Sequence, residues 1–447
     1  MSAAIRSYVG LFDRALSNQD GDLLAQLLSG GSPPGQAAAR SASPPPPPAS
    51  WDVAASSLGP EWGSAAARHL ESLALEASGE LNAASEASEA ALTSFSRAFR
   101  ETPRPAAWVV PAAGAVARRV RAIAERADAA AGEAASSAST LRRSSAADAL
   151  RRLFAVAVMA PGDPAKKLAA LDVANVSIKM YFSLGTLRLA RNLVRTVDSK
   201  AFPPLDRFPA GQVVTYRYHL GRLFLFEERY EDAEENLAAA LGLLGGGPAV
   251  LREAAPGRAP AARSAAWLRN RERVLRYLGP LRLACGRLPS ARAAAASPEL
   301  RALAPLAEAV RAGDVARLDG LLAASRALLV ERGTYLLLER VRALAYRRCL
   351  RVSRAARLRL EPGAPANQLP LRWTLAAVRA HVRAAPDPQL CEDVAVSPDE
   401  LECVVAHLVH RKYVRGYISH KNQVLVLSKQ EPFPDVTTRM LEDAAGG

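Results

Sequence analysis

Apolar side chains recur along this chain mostly at helical spacing. Ile5, Val9, Phe12, Leu16, Leu23, Leu24 and Leu27 form a broken helical stripe at the start. From Trp108 the pattern becomes dense: Val109, Val116, Val120 and Ile123 open it, and Leu150, Leu153, Phe154 and Val158 continue it. Val176, Met180, Leu184, Leu187, Val194 and Val197 predict two antiparallel helices turning at Gly185. Leu220, Gly221, Phe224, Ala233, Leu237 and Ala240 then follow the spacing of a tetratricopeptide-like hairpin, in which small residues let two helices approach closely. The unit is not repeated faithfully, so the pattern predicts a degenerate stack of helical hairpins. Further hairpins are expected over Val274 to Leu288, Leu303 to Val310 and Leu318 to Val330.

Three stretches lack this periodicity. Gly30 to Ser50 holds seven prolines and no Leu, Ile, Val or Phe. It reads as a solvated, polyproline-prone linker, either a plain spacer or a ligand for an SH3-type domain. Ala77 to Ala91 is an Ala/Ser/Glu tract expected to be weakly helical at best, and Gly245 to Ala266 reads as a long loop.

The last quarter changes period. Glu331 to Leu360 carries nine arginines and two glutamates above a stripe of Tyr335, Leu338, Val341, Leu344, Ala345 and Leu350. Pro362 and Pro365 end it, and Leu371, Leu375, Val378 and Val382 mark a short amphipathic helix. Ser397-Pro398-Asp399-Glu400 is a helix start of the capping-box kind, and Leu401, Val404, Val405 and Leu408 follow at i, i+3, i+4, i+7. Beyond Gly416, Tyr417-Ile418-Ser419 and Val424 to Leu427 read as two strands joined by His420-Lys421-Asn422-Gln423. Helix, helix and a hairpin with a basic tip is the layout of a winged helix.

Composition narrows the class. With 447 residues the chain is long enough for two or three domains, and 49% hydrophobic content with 31 prolines and 28 glycines predicts that most of it folds. No apolar run is long enough to span a membrane, and charges at Arg6, Asp13, Arg14, Asp20 and Asp22 argue against a secretory signal. Cys285, Cys349, Cys391 and Cys403 form no CxxC pair, so neither a disulfide scaffold nor a zinc ribbon is supported and a reducing compartment is the simpler reading. Residues up to Arg104 carry net −4, leaving net +18 on the remainder of a chain whose total is +14. Such an excess suits an anionic partner, nucleic acid or acidic protein, although a GC-rich genome also enriches Ala and Arg.

Candidate chemistry is sparse. Cys403, His407 and His410 share one helix face, but zinc needs a further convergent ligand, so a buried core thiol with two histidines at its polar edge is expected. No phosphate-loop, dinucleotide, metalloprotease or nucleophile-elbow motif occurs. Glu227-Glu228 and Glu234-Glu235 read as solvated helix faces. No catalytic set, metal or cofactor is expected. Arg347, Arg348, Arg351, Arg354, Arg357 and Arg359 recur too closely to share one face, so some must meet solvent. Arg411, Lys412 and Arg415 end the capped helix, His420 and Lys421 tip the hairpin, and Arg372 and Arg379 lie on the preceding short helix. These seven are the candidates for phosphate contact without base specificity; a soluble basic face, or a protein-docking one, is the competing reading.

Tyr413 to His420, Val426 to Gln430 and Pro432-Phe433-Pro434 closely resemble the C-terminus of the PCI-domain-containing protein 2 family. Leu193 to Ser199, Val214 to Tyr218, Gly221-Arg222 and Tyr277 to Leu281 are similar to its central region, and Trp108, Pro111 and Ala127-Asp128 to its start. The resemblance spans about Trp108 to Pro434, with Ile5 to Leu28 a weaker match; Pro44 to Pro48 and 245–265 look like insertions. It implies a mainly α fold, a stack of tetratricopeptide-like hairpins ending in the winged helix of a PCI domain. The expected division is 1–104, an N-terminal helix plus a flexible Pro/Ala/Ser-rich segment; 105–332, helical repeats; 333–436, the winged-helix part; and 437–447, a tail. The resemblance further implies a non-enzymatic subunit of a nuclear, pore-associated mRNA export complex, with a cytoplasmic pool as a second location. Its implied partners are a large PCI-type scaffold subunit, a small acidic disordered subunit along the helices, and RNA or DNA. On this reading Arg347, Arg348, Arg351 and Tyr417 are the candidates for partner contact. A sister family associated with the signalosome shares much of the pattern and implies instead a structural subunit whose basic face is covered by protein.

Overall fold

Helix starts are marked by short polar side chains. Ser2, Asp20, Ser32, Ser264, Ser290, Ser297, Asp314 and Ser397 each accept a hydrogen bond from the amide three residues on. The structure, a computed structural model, describes residues 2–42, 45–132, 141–160, 163–246, 264–385, 394 and 396–436. Contacts divide the chain into two units, Met1–His219 and Leu220–Gly447. Most of the loop expected at 245–266 and all of the tail at 437–447 lie outside the described residues.

The first unit consists of α1 (Ala3–Ser17), α2 (Gly21–Leu27), α3 (Pro33–Arg40), α4 (Pro48–Ala54), α5 (Pro60–Ala77), α6 (Leu81–Glu101), α7 (Val110–Ala131), α8 (Arg142–Met159), α9 (Ala170–Ser183), α10 (Leu187–Val197) and the beginning of α11 (Ala210–Phe226). Phe12, Trp62, Phe95, Phe99 and Trp108 form one aromatic cluster with ring centroids about 6 Å apart, Trp62 meeting Phe95 edge-on at 5.8 Å. At Gly21 a β-carbon would stand 1.6 Å from the Trp108 carbonyl oxygen, so α2 seats its bare backbone there. As expected, α9 and α10 turn at Gly185, whose φ is +68°.

Two sequence expectations fail in this unit. The segment read as a solvated linker is helical on both sides of residues 43–44: Pro33 and Pro34 occupy the first positions of α3, where no amide partner is needed, and Ala38, Ala39 and Trp51 are buried. The tract expected to be weakly helical lies mostly in α6, a 21-residue helix with Ala84, Ser85, Ala87, Ser88 and Ala91 buried. Its small side chains let α5 pack closely, and that packing, rather than large apolar residues, supplies the driving force. The residues up to Arg104 are therefore a packed helical body, not one helix with a flexible extension.

The second unit continues with the rest of α11, then α12 (Tyr230–Leu241), α13 (Ala265–Ala284), α14 (Ala291–Ala295), α15 (Pro298–Ala312), α16 (Val315–Glu331), α17 (Tyr335–Glu339) and α18 (Val341–Leu360). At Gly221 a β-carbon would lie 2.5 Å from Leu237, the close helix approach that the hairpin spacing predicts. Glu234, expected to be solvated, is instead buried, and its carboxylate accepts from Arg282 and Arg287. The winged helix follows: β1 (Gln368–Pro370), α19 (Leu371–Ala384), α20 (Pro398–His410), β2 (Gly416–Ser419) and β3 (Val424–Leu427). Its sheet is antiparallel in the order β1-β3-β2, pairing Gly416 with Leu427 and Pro370 with Val424. The hairpin matches expectation; β1 is an addition, a three-residue edge strand that can hold a proline because its far side is unpaired. Leu369, Leu375, Val378, Leu401, Val405, Leu408, Tyr413, Val414, Leu425 and Leu427 form the winged-helix core.

In the first unit a buried histidine generates a testable pH dependence. His69 on α5 stacks on Tyr8 at 6.4 Å, bonds to the Leu27 carbonyl, and leaves Nε2 without a partner. Burial first, and the charge of Arg119 second, push its pKa from 6.5 down to about 3. The folded state therefore keeps His69 neutral while the unfolded chain protonates it near its ordinary pKa. The stability that this neutral group contributes is complete above pH 6.5 and is lost as pH falls toward 3, at about 1.4 kcal/mol per pH unit. Urea unfolding between pH 7 and pH 4 should show that slope, and His69→Phe should remove about one proton's worth of it. An unchanged slope in the variant would show that His69 does not titrate on unfolding.

Candidate functional site

The basic candidates sit on a winged helix whose frame is locally well determined. Ser397 Oγ accepts from the Glu400 amide at 3.1 Å, and Glu400 Oε2 accepts from the Ser397 amide at 2.9 Å, the reciprocal cap expected from sequence. After α20 the chain reverses through Lys412, φ +59°, and the Tyr413 and Val414 amides both bond back to the Leu408 carbonyl. At Gly416 a β-carbon would meet the Val426 carbonyl oxygen at 2.2 Å, so only glycine lets β2 lie this close to β3.

The seven phosphate candidates do not converge on one patch. Arg411, Lys412 and Arg415 cluster where α20 ends, while His420 and Lys421 tip the hairpin at the other end of β2, about 13 Å away along a four-residue strand. Arg372 belongs with the tip, since the neighbouring Leu371 amide bonds to the Gln423 carbonyl at 2.9 Å. Arg379 stands apart on α19, donating through Nε and Nη2 to the Val396 carbonyl at 2.9 and 2.8 Å. Lys412, Lys421 and Arg372 are exposed and have no carboxylate partner among the described residues. Arg415 is paired with Glu431 at 2.5 Å.

An acid that the sequence reading passed over sits at the tip. Glu402 on α20 is half-buried and accepts from His420 Nδ1 at 2.9 and 3.0 Å and from Gln423 Nε2 at 2.8 Å. The His420 hydrogen bond holds the Glu402 carboxyl below the usual carboxylate range, and the carboxylate in turn raises the His420 pKa. Only the pairing of α20 with the hairpin brings these residues together, so no local sequence signal announces them.

The four partner candidates also separate. Arg347 is turned inward: its Nε donates to the Tyr413 carbonyl at 2.9 Å and its Nη2 to the Pro434 carbonyl, and burial lowers its pKa to about 10. Arg348 and Arg351 are exposed on α18, and Tyr417, 63% exposed, stands on β2. Arg354 and Arg357, from the same run, bond to the Ala366 and to the Pro365 and Gln368 carbonyls. Cys403 is exposed, not the core thiol expected, because α20 buries Leu401, Val405 and Leu408 on its other side. Among the described residues no group of three His, Cys, Asp or Glu side chains could hold a metal ion, and no helix is long and apolar enough to cross a membrane. Burial raises the thiol pKa values of Cys285 to about 12 and of Cys349 to about 11, which suits packing and not nucleophilic chemistry.

Comparison with known proteins bears on the same region. The PCI domain profile matches residues 387–429, which contain α20 and the hairpin. Over 431 residues the chain is 29% identical to Enhanced ethylene response protein 5 of Arabidopsis thaliana, covering 96% of this chain and 95% of that protein. It is 30% identical over 376 residues to the Protein CSN12 homolog of Mycosarcoma maydis, covering 80% of this chain and 76% of that protein. It is also 30% identical over 295 residues to the PCI domain-containing protein 2 homolog of Drosophila melanogaster; the match covers 65% of each, just under two thirds of that relative.

The His420–Glu402 pair makes the charge of the hairpin tip adjustable. With Glu402 ionised below it and Asp399 nearby, His420 should titrate above its ordinary 6.5. In Glu402→Gln the His420 ring should titrate at a lower pH, followed by its carbon-bound proton shifts in NMR. An unchanged midpoint would mean that the ring is not held by Glu402 in solution.

Proposed function

The chain belongs to the PCI-domain family that includes the CSN12 homologs and PCI domain-containing protein 2, and on that premise we propose that it is a non-enzymatic adaptor subunit of a nuclear mRNA export complex. In this reading the winged helix docks a large PCI-type scaffold subunit, with Tyr417 in the contact. A small acidic disordered subunit lies along the helices, and the basic ends of the winged helix contact RNA or DNA phosphates without reading bases. The expected location is the nucleus at the pore, with a cytoplasmic pool.

The observation that carries the nucleic-acid part is the exposure of Lys412, Lys421 and Arg372 on one rigid winged helix, with no carboxylate taken up by any of them among the described residues. Cationic groups without a carboxylate partner can meet phosphate with no ion pair to break, and the counterions released from the nucleic acid favour the contact. The second reading is a structural PCI subunit of a signalosome-like assembly. What favours it is the pairing of Arg415 with Glu431 and of His420 with Glu402, which leaves less charge for phosphate and suits a protein surface instead.

Replacing Arg411, Lys412, Arg415 and Lys421 by Ala together should weaken binding of single-stranded RNA and duplex DNA by similar factors. Each lost phosphate contact should flatten the log–log salt dependence by roughly 0.7 to 0.9. These surface changes should each leave stability within about 0.5 kcal/mol. Fluorescence anisotropy at several salt concentrations reads both effects, and purification of tagged wild type and variant from nuclear extract identifies by mass spectrometry the subunits that each retains. Nucleic-acid affinity and salt slope unchanged in the variant, with the co-purifying subunits lost, would favour the second reading.

A further inference from the structure

A groove away from the hairpin gathers a different set of arginines. It lies between α18 and the segment 430–433, has a volume of about 680 Å³, and is lined by Arg348, Arg351, Arg354 and Arg359 along one side and by Glu431 and Phe433 on the other. That volume falls within the range of small-molecule sites. From Arg348 to Arg359 the helix advances about 16 Å, with the four side chains on one face. Glu431, the single acid in the lining, is already engaged by Arg415.

The guanidinium groups are held without being used up. Arg348 donates Nε to the Arg311 carbonyl at 2.8 Å, and Arg354 donates Nε to the Ala366 carbonyl at 2.9 Å. Each bond fixes the plane of the group and leaves its terminal nitrogens for a ligand, so part of the ordering cost is met before binding. Arg351 lies over Phe433 at 5.8 Å, and Arg347 lies over the same ring at 5.7 Å. Neither Arg351 nor Arg359 has a carboxylate partner among the described residues. Burial first and the positive charge of Arg351 second depress the Arg347 pKa, and the nearby Asp435 carboxylate offsets them only in part.

We propose that this groove binds a small polyphosphorylated molecule, one that carries several phosphate groups on a compact scaffold. Terminal guanidinium nitrogens match phosphate oxygens in pairs, and four such groups around one concavity require clustered negative charge. A nucleic-acid strand is a poorer fit, because Phe433, the aromatic side chain in the lining, is covered by two guanidinium groups and offers no ready face for a base. A carboxylate-rich peptide brings only one charge per side chain and loses more chain entropy on binding. The site adjoins the end of α20 through the Arg415–Glu431 pair, but none of its lining arginines is one of the seven phosphate candidates, so it does not depend on the adaptor reading.

Isothermal titration of the full chain with inositol hexakisphosphate tests this, with tripolyphosphate, a hexaglutamate peptide and a single-stranded oligonucleotide as comparisons. The expected result is one-to-one binding of the inositol phosphate, tighter than of hexaglutamate. Combined Arg351→Gln and Arg359→Gln should weaken it by at least about tenfold, the scale of one lost charged hydrogen bond, while Lys412→Ala with Lys421→Ala leaves it unchanged. Arg359→Gln alone, at an exposed position with no carboxylate partner among the described residues, should weaken it in the same direction and covers the event that the double variant fails to fold. Equal affinity in folded arginine variants, equal loss in the lysine control, hexaglutamate bound as tightly, no binding heat at low salt, or oligonucleotide binding that alone responds to the arginine changes would each overturn the proposal.

Discussion

The second unit depends on a set of arginine side chains reaching from α18 to backbone carbonyls of the winged helix and its flanks. Arg347 holds Tyr413 and Pro434, Arg354 holds Ala366, and Arg357 holds Pro365 and Gln368. Turns such as these have carbonyls without ladder partners, and a buried carbonyl left unpaired costs about 1–3 kcal/mol. Guanidinium groups supply several donors from one side chain and stay charged even when burial lowers their pKa, as at Arg347. The result ties the start of β1, the end of α20 and the segment after β3 to a single helix, and so fixes the hairpin and the groove.

This use of arginine also changes how the net charge of +14 is to be understood. Several arginines are offset by buried acids and add little to that excess: Arg282 and Arg287 share buried Glu234, Arg342 meets buried Asp319, and Arg143 meets buried Asp128. On the winged helix and α18, charge without a carboxylate partner among the described residues stands at Lys412, at the hairpin tip with Lys421 and Arg372, and in the groove at Arg351 and Arg359. The first two belong to the adaptor reading, and the groove has the concavity and paired donors of a small-ligand site.

Legibility from sequence followed the range of the interactions. Local signals were readable: the capping box at Ser397, the turn at Gly185, the close approach at Gly221 and the hairpin around Lys421 each depend on residues a few positions apart or on one supersecondary unit. Alanine-rich packing was misread, because α3 and α6 bury Ala and Ser where large apolar side chains are the usual marker of a core. The strand β1 was invisible, being three residues long with a proline. For the site, the basic residues were identifiable but their partners were not. Glu402 and Glu431 approach His420 and Arg415 only through pairing across the winged helix, and the carbonyls that occupy Arg347 lie 66 and 87 positions away in the chain.

The central claim, that α18 holds the winged helix in place through its arginines, is most directly tested by hydrogen exchange on the full chain carrying Arg347→Met. The account predicts that amides across 398–427 lose protection by roughly 1–3 kcal/mol, the cost of leaving the Tyr413 and Pro434 carbonyls unpaired, while amides of α15 and α16 keep theirs. Identical protection of the winged helix in variant and wild type would contradict it.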